Sequence, residues 1–163
     1  MELKDKVAIV TGGSRGIGFA AVEAFVKEGA AVVLCASRQE TADKAVAQLK
    51  EKYPDAKVEG IWPNLSSLSE VQEAFDKVAE KYGRIDILVN NAGASENTPF
   101  SNYTEETFDK VMDLNVKGMF VCSKAVEAVM TRQGSGVILN TSSMVSISGQ
   151  PAGVAYHTSK FAV

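Results

Sequence analysis

A chain of 163 residues, 45% of them hydrophobic, is long enough for one well-buried core, and we predict a single domain over residues 1–163. The formal net charge is -3 and no basic run is interleaved with aromatic residues, which argues against nucleic acid as a partner. The charged segment 1–6 does not read as a signal peptide, and no apolar stretch is long enough to cross a bilayer, so no membrane partner is expected.

Five short apolar runs alternate with stretches of helical periodicity along the chain. This alternation is typical of βαβ units that build a parallel sheet. We predict strands at 7–10, 31–35, 58–61, 85–89 and 137–141. Because each run is almost continuously apolar, we expect helices on both faces of the sheet. The predicted fold is therefore α/β, a doubly wound parallel sheet in three layers.

The helices have signals of their own. One apolar stripe of 3.6-residue period is formed by Leu68, Val71, Phe75, Val78 and Tyr82. Ser67 and Glu70 predict a capping box at the start of that helix. A second stripe, which ends at Tyr53 before a proline, is formed by Ala42, Ala45, Val46 and Leu49.

Further helices are predicted to open at Thr104, to run over 116–129 and to begin at Tyr156. The two cysteines, Cys35 in the second strand and Cys122 in a helix, lie far apart in sequence and are expected to pack as core side chains. Free thiols are typical of a reducing compartment, so we predict a cytoplasmic location.

A glycine-rich loop, from Thr11 to Gly18, follows the first strand directly and leads into a helix rich in alanine. Glycine has no Cβ to keep a ligand from the backbone, and the N-terminus of the helix favours an anion. This position after the first strand predicts a binding site for the pyrophosphate of a dinucleotide. A glycine-rich turn without a ligand remains the alternative when the motif is taken alone.

The end of the second strand indicates which dinucleotide is bound. Sites selective for NAD place a carboxylate there to accept from the ribose 2′-hydroxyl, but here Ser37 and Arg38 follow the strand. Arg38 and Arg15 are suited to pair with a 2′-phosphate, and Ser37 to add a hydroxyl. We therefore predict NADP(H) rather than NAD(H); two solvated surface arginines are the alternative.

Tyr156 and Lys160 lie four residues apart and so share one face of the predicted last helix. A nearby cation favours phenolate, so this pair is suited to give or take a proton near neutral pH. An ordinary tyrosine and lysine at helical spacing is the alternative if the pair is considered by itself.

Several motifs occur together in a recognisable order. They are the loop 11–18, the segment Asn90-Asn91-Ala92-Gly93, the segment Asn115-Val116-Lys117-Gly118, Ser143, and the pair Tyr156 and Lys160. In order and spacing this set resembles the short-chain dehydrogenase/reductase family, over essentially the whole chain. The resemblance implies a Rossmann-type fold and hydride transfer between a nicotinamide cofactor and a secondary alcohol or ketone.

The resemblance also implies roles for particular residues. Tyr156 would be the catalytic acid/base, and Ser143, thirteen positions before it, would hydrogen-bond the substrate oxygen. The adjacent Ser142 would pack behind it or support the cofactor region. Lys160 would hold the nicotinamide ribose hydroxyls. Asn115 would lie at a helix irregularity and organise a water that leads to Lys160, although a buried amide that only satisfies backbone groups is the alternative.

The resemblance implies a set of cofactor contacts as well. They are assigned to Gly12, Ser14, Arg15, Gly16, Ile17, Gly18, Ser37, Arg38, Asn64, Leu65, Asn91, Ala92, Gly93, Tyr156 and Lys160. Asn64 is a departure, since the family often has an aspartate there that contacts the adenine; an asparagine carbonyl can accept the same hydrogen bond. His157 points away from the tyrosine face and is expected to be structural. One histidine cannot build a metal site, so no metal is predicted.

Family members continue beyond the catalytic helix with further strands and a substrate-covering loop. The resemblance therefore implies that this chain is incomplete at its carboxyl terminus, exposes a sheet edge, and has little or no activity alone. We expect a small carbonyl or alcohol substrate, walled by 94–100 and 144–154, and a homo-oligomer at full length. Wider similarity leans toward bacterial hydroxysteroid dehydrogenases.

Three alternatives to that function remain open. A 3-oxoacyl carrier-protein reductase is the nearest rival substrate class. A non-catalytic dinucleotide-binding or redox-sensing protein is the second, which fold alone never excludes. Sugar-nucleotide epimerase or dehydratase chemistry is the third, although the three residues between Gly12 and Gly16 suit the reductase branch better.

Overall fold

The computed structural model describes residues 1–149 and 151–163. Five parallel strands form one sheet in the order β3-β2-β1-β4-β5. The strands are β1 Val7–Thr11, β2 Ala31–Cys35, β3 Val58–Ile61, β4 Ile87–Asn90 and β5 Val137–Asn140. The helices are α1 Gly16–Lys27, α2 Gln39–Lys52, α3 Leu68–Tyr82, α4 Glu105–Met112, α5 Gly118–Gln133 and α6 Val154–Ala162. The α/β prediction is confirmed. Within the described ranges no helix is both long and apolar enough to span a membrane.

Alternate residues of the central strands face two separate cores, which explains the three layers. One core contains Ile9 and Val33 and is covered by α3 and α5. The other contains Val10 and Leu34 and is covered by α1 and α2. Side chains in a strand point to opposite faces in turn, so a continuous apolar run buries both of its faces.

Both cysteines lie in the core that α3 and α5 cover, as the sequence predicts. Burial raises the pKa of the Cys122 thiol to about 12 and raises that of Cys35 well above its ordinary value. Thiolate is the reactive form of cysteine, so these two side chains act as small apolar groups.

The start of β4 and the exposure of β5 differ most from the predictions. Ile85 is buried, but its amide N–H donates to the Gln133 side chain at 2.8 Å, so β4 begins at Ile87. The predicted covering of both faces is wrong for β5, where Val137, Ile138 and Leu139 are 52%, 40% and 49% exposed. Of the described strands, only β4 pairs with β5, which leaves its outer edge open.

Helix starts also differ from the sequence patterns in detail. Ser67 caps α3 by accepting from the Glu70 amide, but the Glu70 carboxylate accepts from the Asn64 amide instead of returning to Ser67. Half of the predicted capping box is therefore formed. Helix α4 is capped by Thr104 as predicted, and α6 begins at Val154, two residues earlier than expected.

Asp86, directly before β4, connects β1 to the start of β4 and so stabilises the sheet. Its carboxylate accepts from the Val7 amide at 2.9 Å and pairs with Arg84 and Lys6. Burial raises the pKa of Asp86, but the hydrogen bonds from Arg84 and Val7 outweigh that effect and hold it below its ordinary value.

We expect Asp86→Ala to lower the free energy of unfolding by about 2 kcal/mol at pH 7, because a buried N–H loses its acceptor. Because the pKa of Asp86 is lower in the folded state, its carboxylate stabilises the fold at any pH above the pKa of the unfolded chain, about 4. This stabilisation is lost as the pH falls through the pKa of the folded state. The difference from wild type, measured by urea unfolding, should therefore shrink in acid. The control is exposed Asp55→Ala; an equal loss at pH 7 and pH 3 would contradict the prediction.

Candidate active site

The strand order reverses beside β1, which pairs with β2 on one side and with β4 on the other. In open parallel sheets, ligands bind in the crevice that such a reversal opens at the carboxyl ends of the strands. The glycine loop after β1 and the segment 91–94 after β4 meet at this crevice. The fold thus brings together two motifs that are about 80 residues apart in sequence.

At Gly13 and Gly18 the glycine loop leaves no space for a side chain. A Cβ on Gly18 would overlap the Gly12 carbonyl oxygen and lie 2.6 Å from Asn91 Nδ2, and one on Gly13 would lie 2.8 Å from Leu34 Cβ. Gly16 has a left-handed φ of 57°, and a Cβ there would meet no described atom within 4 Å. Helix α1 therefore starts close against the sheet with its first turn facing the crevice, and Ile17 there is 76% exposed. This cradle fits a pyrophosphate.

Thr11 and Asn91 hold the two sides of the crevice together. Thr11 Oγ1 accepts from the amides of Asn91 and Ala92, both at 3.0 Å. The Asn91 side-chain amide donates to the carbonyls of Thr11 and Gly12 at 3.2 and 3.4 Å. The Asn91 side chain thus shapes the glycine loop, and Ala92 and Gly93 follow it along the floor of the crevice.

Arg15 and Arg38 occupy equivalent places after neighbouring strands. Each is the N-cap of a helix, Arg15 for α1 and Arg38 for α2, and each is exposed. Gly13 N donates to Cys35 O at 3.0 Å, which joins the turn that carries Arg15 to the end of β2. Ser37 is exposed beside Arg38, and Ser14 is partly buried in the loop. Neither arginine forms a salt bridge within 1–149 and 151–163.

Asn115 lies where the predicted irregularity occurs. Residues Asp113–Lys117 form a π-helical turn between α4 and α5, and such turns are frequent at functional sites. The Asn115 side chain is 3% exposed, accepts from Ala94 N at 2.8 Å, and donates to Ala94 O and to Ser159 Oγ, both at 2.9 Å. It thereby fastens α6 to the segment after β4, a structural role that the sequence left open.

Lys160 is a buried ammonium at the centre of the site. It is 7% exposed, and its Nζ donates to the Thr141 carbonyl at 2.7 Å. Burial lowers the pKa of Lys160 from its ordinary value. The Nζ lies 5.9 Å from the centre of the Tyr156 ring and 3.8 Å from the place that a Cβ would take on Gly93. A Cβ on Gly93 would also lie 3.2 Å from Asn115 Oδ1, so a glycine there lets the Asn115 amide approach the backbone closely.

The two serines after β5 have different environments. Ser142 Oγ donates to the Lys160 carbonyl at 2.9 Å and so supports α6 from behind. Ser143 caps the short 3-10 turn Met144–Ser146, which lies against α6, and its Oγ accepts from Val145 N at 3.4 Å. The hydroxyl of Ser143 keeps its proton for another acceptor. Tyr156 is half-buried on the first turn of α6.

Three further residues have local roles. Asn64 Oδ1 accepts from Ser66 N at 3.1 Å, which occupies one of its two lone pairs and leaves one for an adenine amino group. Leu65 is partly buried against the core that α3 and α5 cover. His157 Nδ1 lies 2.7 Å from the Gly153 carbonyl, one turn back on α6, which agrees with the expected structural role.

The sequence reading missed the groups that support the site. Thr141 and Ser159 were not predicted to take part, yet they bond to Lys160 and Asn115, respectively. Asn90 belongs to a predicted motif, but its side-chain partners were not predicted. The Asn90 amide donates to Ser123 and to Asn140. Their positions at strand ends, or three residues after Tyr156, were the only available signal. Side chains that bond across the fold are not separated by any regular spacing in the sequence, so no pattern predicts them.

A small void lies beneath these groups. Its volume is about 10 Å³, and its polar lining comes from Thr11, Asn90, Asn115, Thr141 and Lys160. The Oδ1 atom of Asn90 faces no partner among the described residues. A volume of this order is close to the minimum for one water molecule, which fits the predicted water between Asn115 and Lys160.

The predicted substrate walls are largely apolar at the surface. Phe100, Met144 and Ile147 are each 77% exposed beside the crevice segments. Gln150, which belongs to the predicted wall 144–154, lies outside the described residues. A cavity of about 880 Å³ lies elsewhere, near the amino ends of the strands, between segments such as 4–7 and 52–57, and contains no motif residue.

A parallel sheet with a glycine cradle at its strand reversal and a buried lysine beside a tyrosine defines a nicotinamide-dependent class of protein. The sequence model of the short chain dehydrogenase family matches residues 6–163. The chain belongs to this family, which confirms the resemblance drawn from the sequence.

Individual relatives agree with this assignment. The chain is 59% identical, over all of its length, to a 3alpha-hydroxysteroid dehydrogenase of Mediterraneibacter gnavus. It is 38% identical, also over all of its length, to a 3-oxoacyl-(acyl-carrier-protein) reductase of Thermotoga maritima. In both comparisons the chain spans 65% of the relative's length.

Solved structures resemble the fold closely. An NAD+-bound xylitol dehydrogenase superposes with a TM-score of 0.93 at 35% identity, covering 99% of this chain and 62% of that one. A levodione reductase superposes with a TM-score of 0.92 at 32% identity, covering 98% and 62%. The Rossmann-type fold predicted from the sequence is therefore confirmed.

Proposed function

We propose that the protein transfers hydride between NADP(H) and a secondary alcohol or its ketone, with Tyr156 as the acid/base. The observation that carries the proposal is the buried Lys160 ammonium, 5.9 Å from the Tyr156 ring, at the crevice between the glycine loop and β4. A cation in such a place favours phenolate and so helps the phenol exchange its proton.

The cofactor is assigned to the cradle after β1. Gly12, Gly16 and Gly18 would bring the backbone to its pyrophosphate, with the first turn of α1 facing the anion. Lys160 would bind the nicotinamide ribose, and Asn64 and Leu65 would lie along the adenine. When bound, a nicotinamide dinucleotide supplies or accepts the hydride.

The chain's own residues then handle the oxygen and the proton. Ser143 donates a hydrogen bond to the substrate oxygen, and Tyr156 gives that oxygen a proton in reduction or removes one in oxidation. Lys160 orients and tunes Tyr156. In reduction Tyr156 would be reprotonated through the Lys160 ammonium, and a water in the void beside Asn115 would replace the proton that Lys160 gives up; in oxidation the same groups would carry the proton outward.

For the substrate we propose a hydroxysteroid or the matching oxosteroid. The support is the 59% identity to the 3alpha-hydroxysteroid dehydrogenase, together with the exposed apolar side chains of Phe100, Met144 and Ile147. A 3-oxoacyl thioester is the second candidate, supported by the 38% identical reductase. A cytoplasmic location and assembly into a homo-oligomer remain predictions.

The test uses the protein expressed from its whole reading frame. We expect NADP+-dependent oxidation of a 3α-hydroxysteroid, and slower reduction, if any, of a 3-oxoacyl thioester. Faster turnover of the thioester would favour the second candidate. Dinucleotide binding without oxidation of any secondary alcohol would favour the non-catalytic alternative. Little or no turnover by residues 1–163 alone stays a prediction, which the same assay tests.

The NADP(H) preference rests on Arg15 and Arg38. We expect Arg38→Asp to raise the NADPH dissociation constant by about 10- to 100-fold, since a charge-assisted hydrogen bond contributes about 1.5–3 kcal/mol. The new carboxylate should also improve NADH binding through the ribose hydroxyls. Both constants can be measured by fluorescence titration. Lys44→Asp, an exposed change of equal charge on α2, is the control. Wild-type preference for NADH would overturn the assignment.

A further inference from the structure

Helix α6, which carries Tyr156, begins without a capping side chain of its own. Its N-cap is Gly153, with a left-handed φ of 77°, and its first turn contains no acidic residue. The first amides of a helix have no acceptor inside the helix and must find one elsewhere. Here the acceptors come from the loop between β4 and α4.

Glu96 and Tyr103 are those acceptors. The Tyr103 hydroxyl oxygen accepts from Ala155 N at 3.1 Å, and Glu96 Oε1 accepts from Tyr156 N at 3.5 Å. The Tyr103 hydroxyl in turn donates to Glu96 Oε1 at 2.6 Å. One carboxylate and one phenol thus replace the missing cap, and they bond to the peptide of Tyr156 and to its neighbour.

The charge state of this pair suits the task. Burial raises the pKa of Glu96, but hydrogen bonds from Tyr103 and from backbone amides outweigh it and hold the pKa below its ordinary value. Burial and the Glu96 carboxylate raise the pKa of Tyr103. At neutral pH a carboxylate and a neutral phenol therefore face the positive end of the helix dipole, which favours the negative charge.

Backbone contacts hold Glu96 in place. Its Oε2 accepts from Thr98 N at 2.9 Å, and Thr98 O accepts from Gly153 N at 3.2 Å. Pro99 and Ala152 form an antiparallel bridge between the same two segments. A Cβ on Gly153 would lie 2.6 Å from Glu96 O, so only glycine permits this approach. These contacts join the loop to the start of α6.

From this geometry we infer that Glu96, assisted by Tyr103, is a positioning residue that sets the place of Tyr156 for proton transfer. The inference rests on the proposed function of Tyr156. Glu96 acts through the helix start, whereas the Lys160 end of α6 has its own anchors in Ser142 and Asn115. The loss of Glu96 should therefore slow turnover without weakening cofactor binding.

The experiment measures kcat, KM and the NADPH dissociation constant of the protein expressed from its whole reading frame, with a 3-oxosteroid as substrate. We expect Glu96→Ala to lower kcat about 30-fold and to change the NADPH dissociation constant by less than about twofold, because small misplacements of a reacting group are costly. Glu96→Gln keeps an oxygen that accepts from Tyr103 and should recover kcat to within about threefold of wild type. Exposed Glu51→Ala is the matched control and should behave as wild type.

Tyr103→Phe keeps the aromatic ring and tests the pair if Glu96→Ala does not fold. We expect it to lower kcat about fivefold, again at unchanged NADPH affinity, since the Ala155 amide loses its acceptor. Wild-type kcat in both Glu96→Ala and Tyr103→Phe would overturn the inference. So would parallel losses of kcat and NADPH affinity with no rescue by glutamine, because they indicate a general effect on folding.

Tyr156→Phe distinguishes the positioning role of Glu96 from the proposed acid/base function of Tyr156. If Tyr156→Phe loses turnover while Glu96→Ala and Tyr103→Phe do not, the positioning role fails and the proposed function stands. If Tyr156→Phe keeps its turnover, the proposed function fails and the positioning role fails with it.

Discussion

Tyr156→Phe should lower kcat by about 10²- to 10⁴-fold, the range expected when a positioned general acid/base is removed. The substitution removes one hydroxyl from a half-buried side chain whose hydroxyl forms no hydrogen bond with the described residues, so folding should be unaffected. The NADPH dissociation constant should change much less than kcat, because Tyr156 is only one of many assigned cofactor contacts, whereas the substrate oxygen depends on its phenol for the proton. Steady-state kinetics with a 3-oxosteroid, paired with fluorescence titration of NADPH, measure both quantities.

Tyr82→Phe is the matched control for that experiment. It removes a hydroxyl from a partly buried tyrosine at the end of α3. Tyr82 lines the cavity near the amino ends of the strands, whereas the crevice lies at their carboxyl ends. We expect its kcat to equal that of wild type. A Tyr156→Phe enzyme with more than about a tenth of wild-type kcat would contradict the acid/base assignment.

Gly18→Ala should cost both stability and cofactor binding. The added Cβ would overlap the Gly12 carbonyl oxygen and press on the Asn91 amide, which is itself bonded to Thr11 and Gly12. Neither neighbour is the free end of a flexible side chain, so α1 must move away from the loop. We expect about 3 kcal/mol less free energy of unfolding, the upper part of the range for overpacking.

The displaced helix start should also bind a pyrophosphate less well, raising the NADPH dissociation constant by at least about tenfold, the equivalent of 1.4 kcal/mol. Thermal unfolding and calorimetric titration of NADPH give the two values. Gly149→Ala is the control, since a Cβ there meets nothing within 4 Å among the described residues. A Gly18→Ala protein with wild-type melting temperature and NADPH affinity would show that the loop does not form the predicted cradle.

The sequence predicted much of the fold because its signals are local. Apolar runs of strand length placed all five strands within two residues of their observed bounds, and Thr104 and Tyr53 marked a helix start and a helix end as observed. Hydrogen bonding and tertiary contacts, which leave no local pattern, decided the rest. The start of β4 depends on Gln133, 48 residues away from Ile85.

The candidate site divides in the same way. Spacing in the sequence predicts the chemistry of two parts of the site. The glycines follow a strand directly, as in a strand-helix turn that binds a dinucleotide, and the tyrosine and lysine lie one helical turn apart on one face. The amino-acid sequence by itself therefore determined the α/β fold, the dinucleotide loop and the Tyr156/Lys160 pair.

Only the tertiary structure decided how that pair is held. Lys160 reaches Thr141, Asn115 reaches Ser159, and Glu96 reaches the start of α6, each across 19 to 60 residues of chain. Such bonds depend on directions that side chains take once helices and strands have packed, and many sequences satisfy a buried amide or a helix start equally well. Their partners therefore follow from packing rather than from any repeat in the chain.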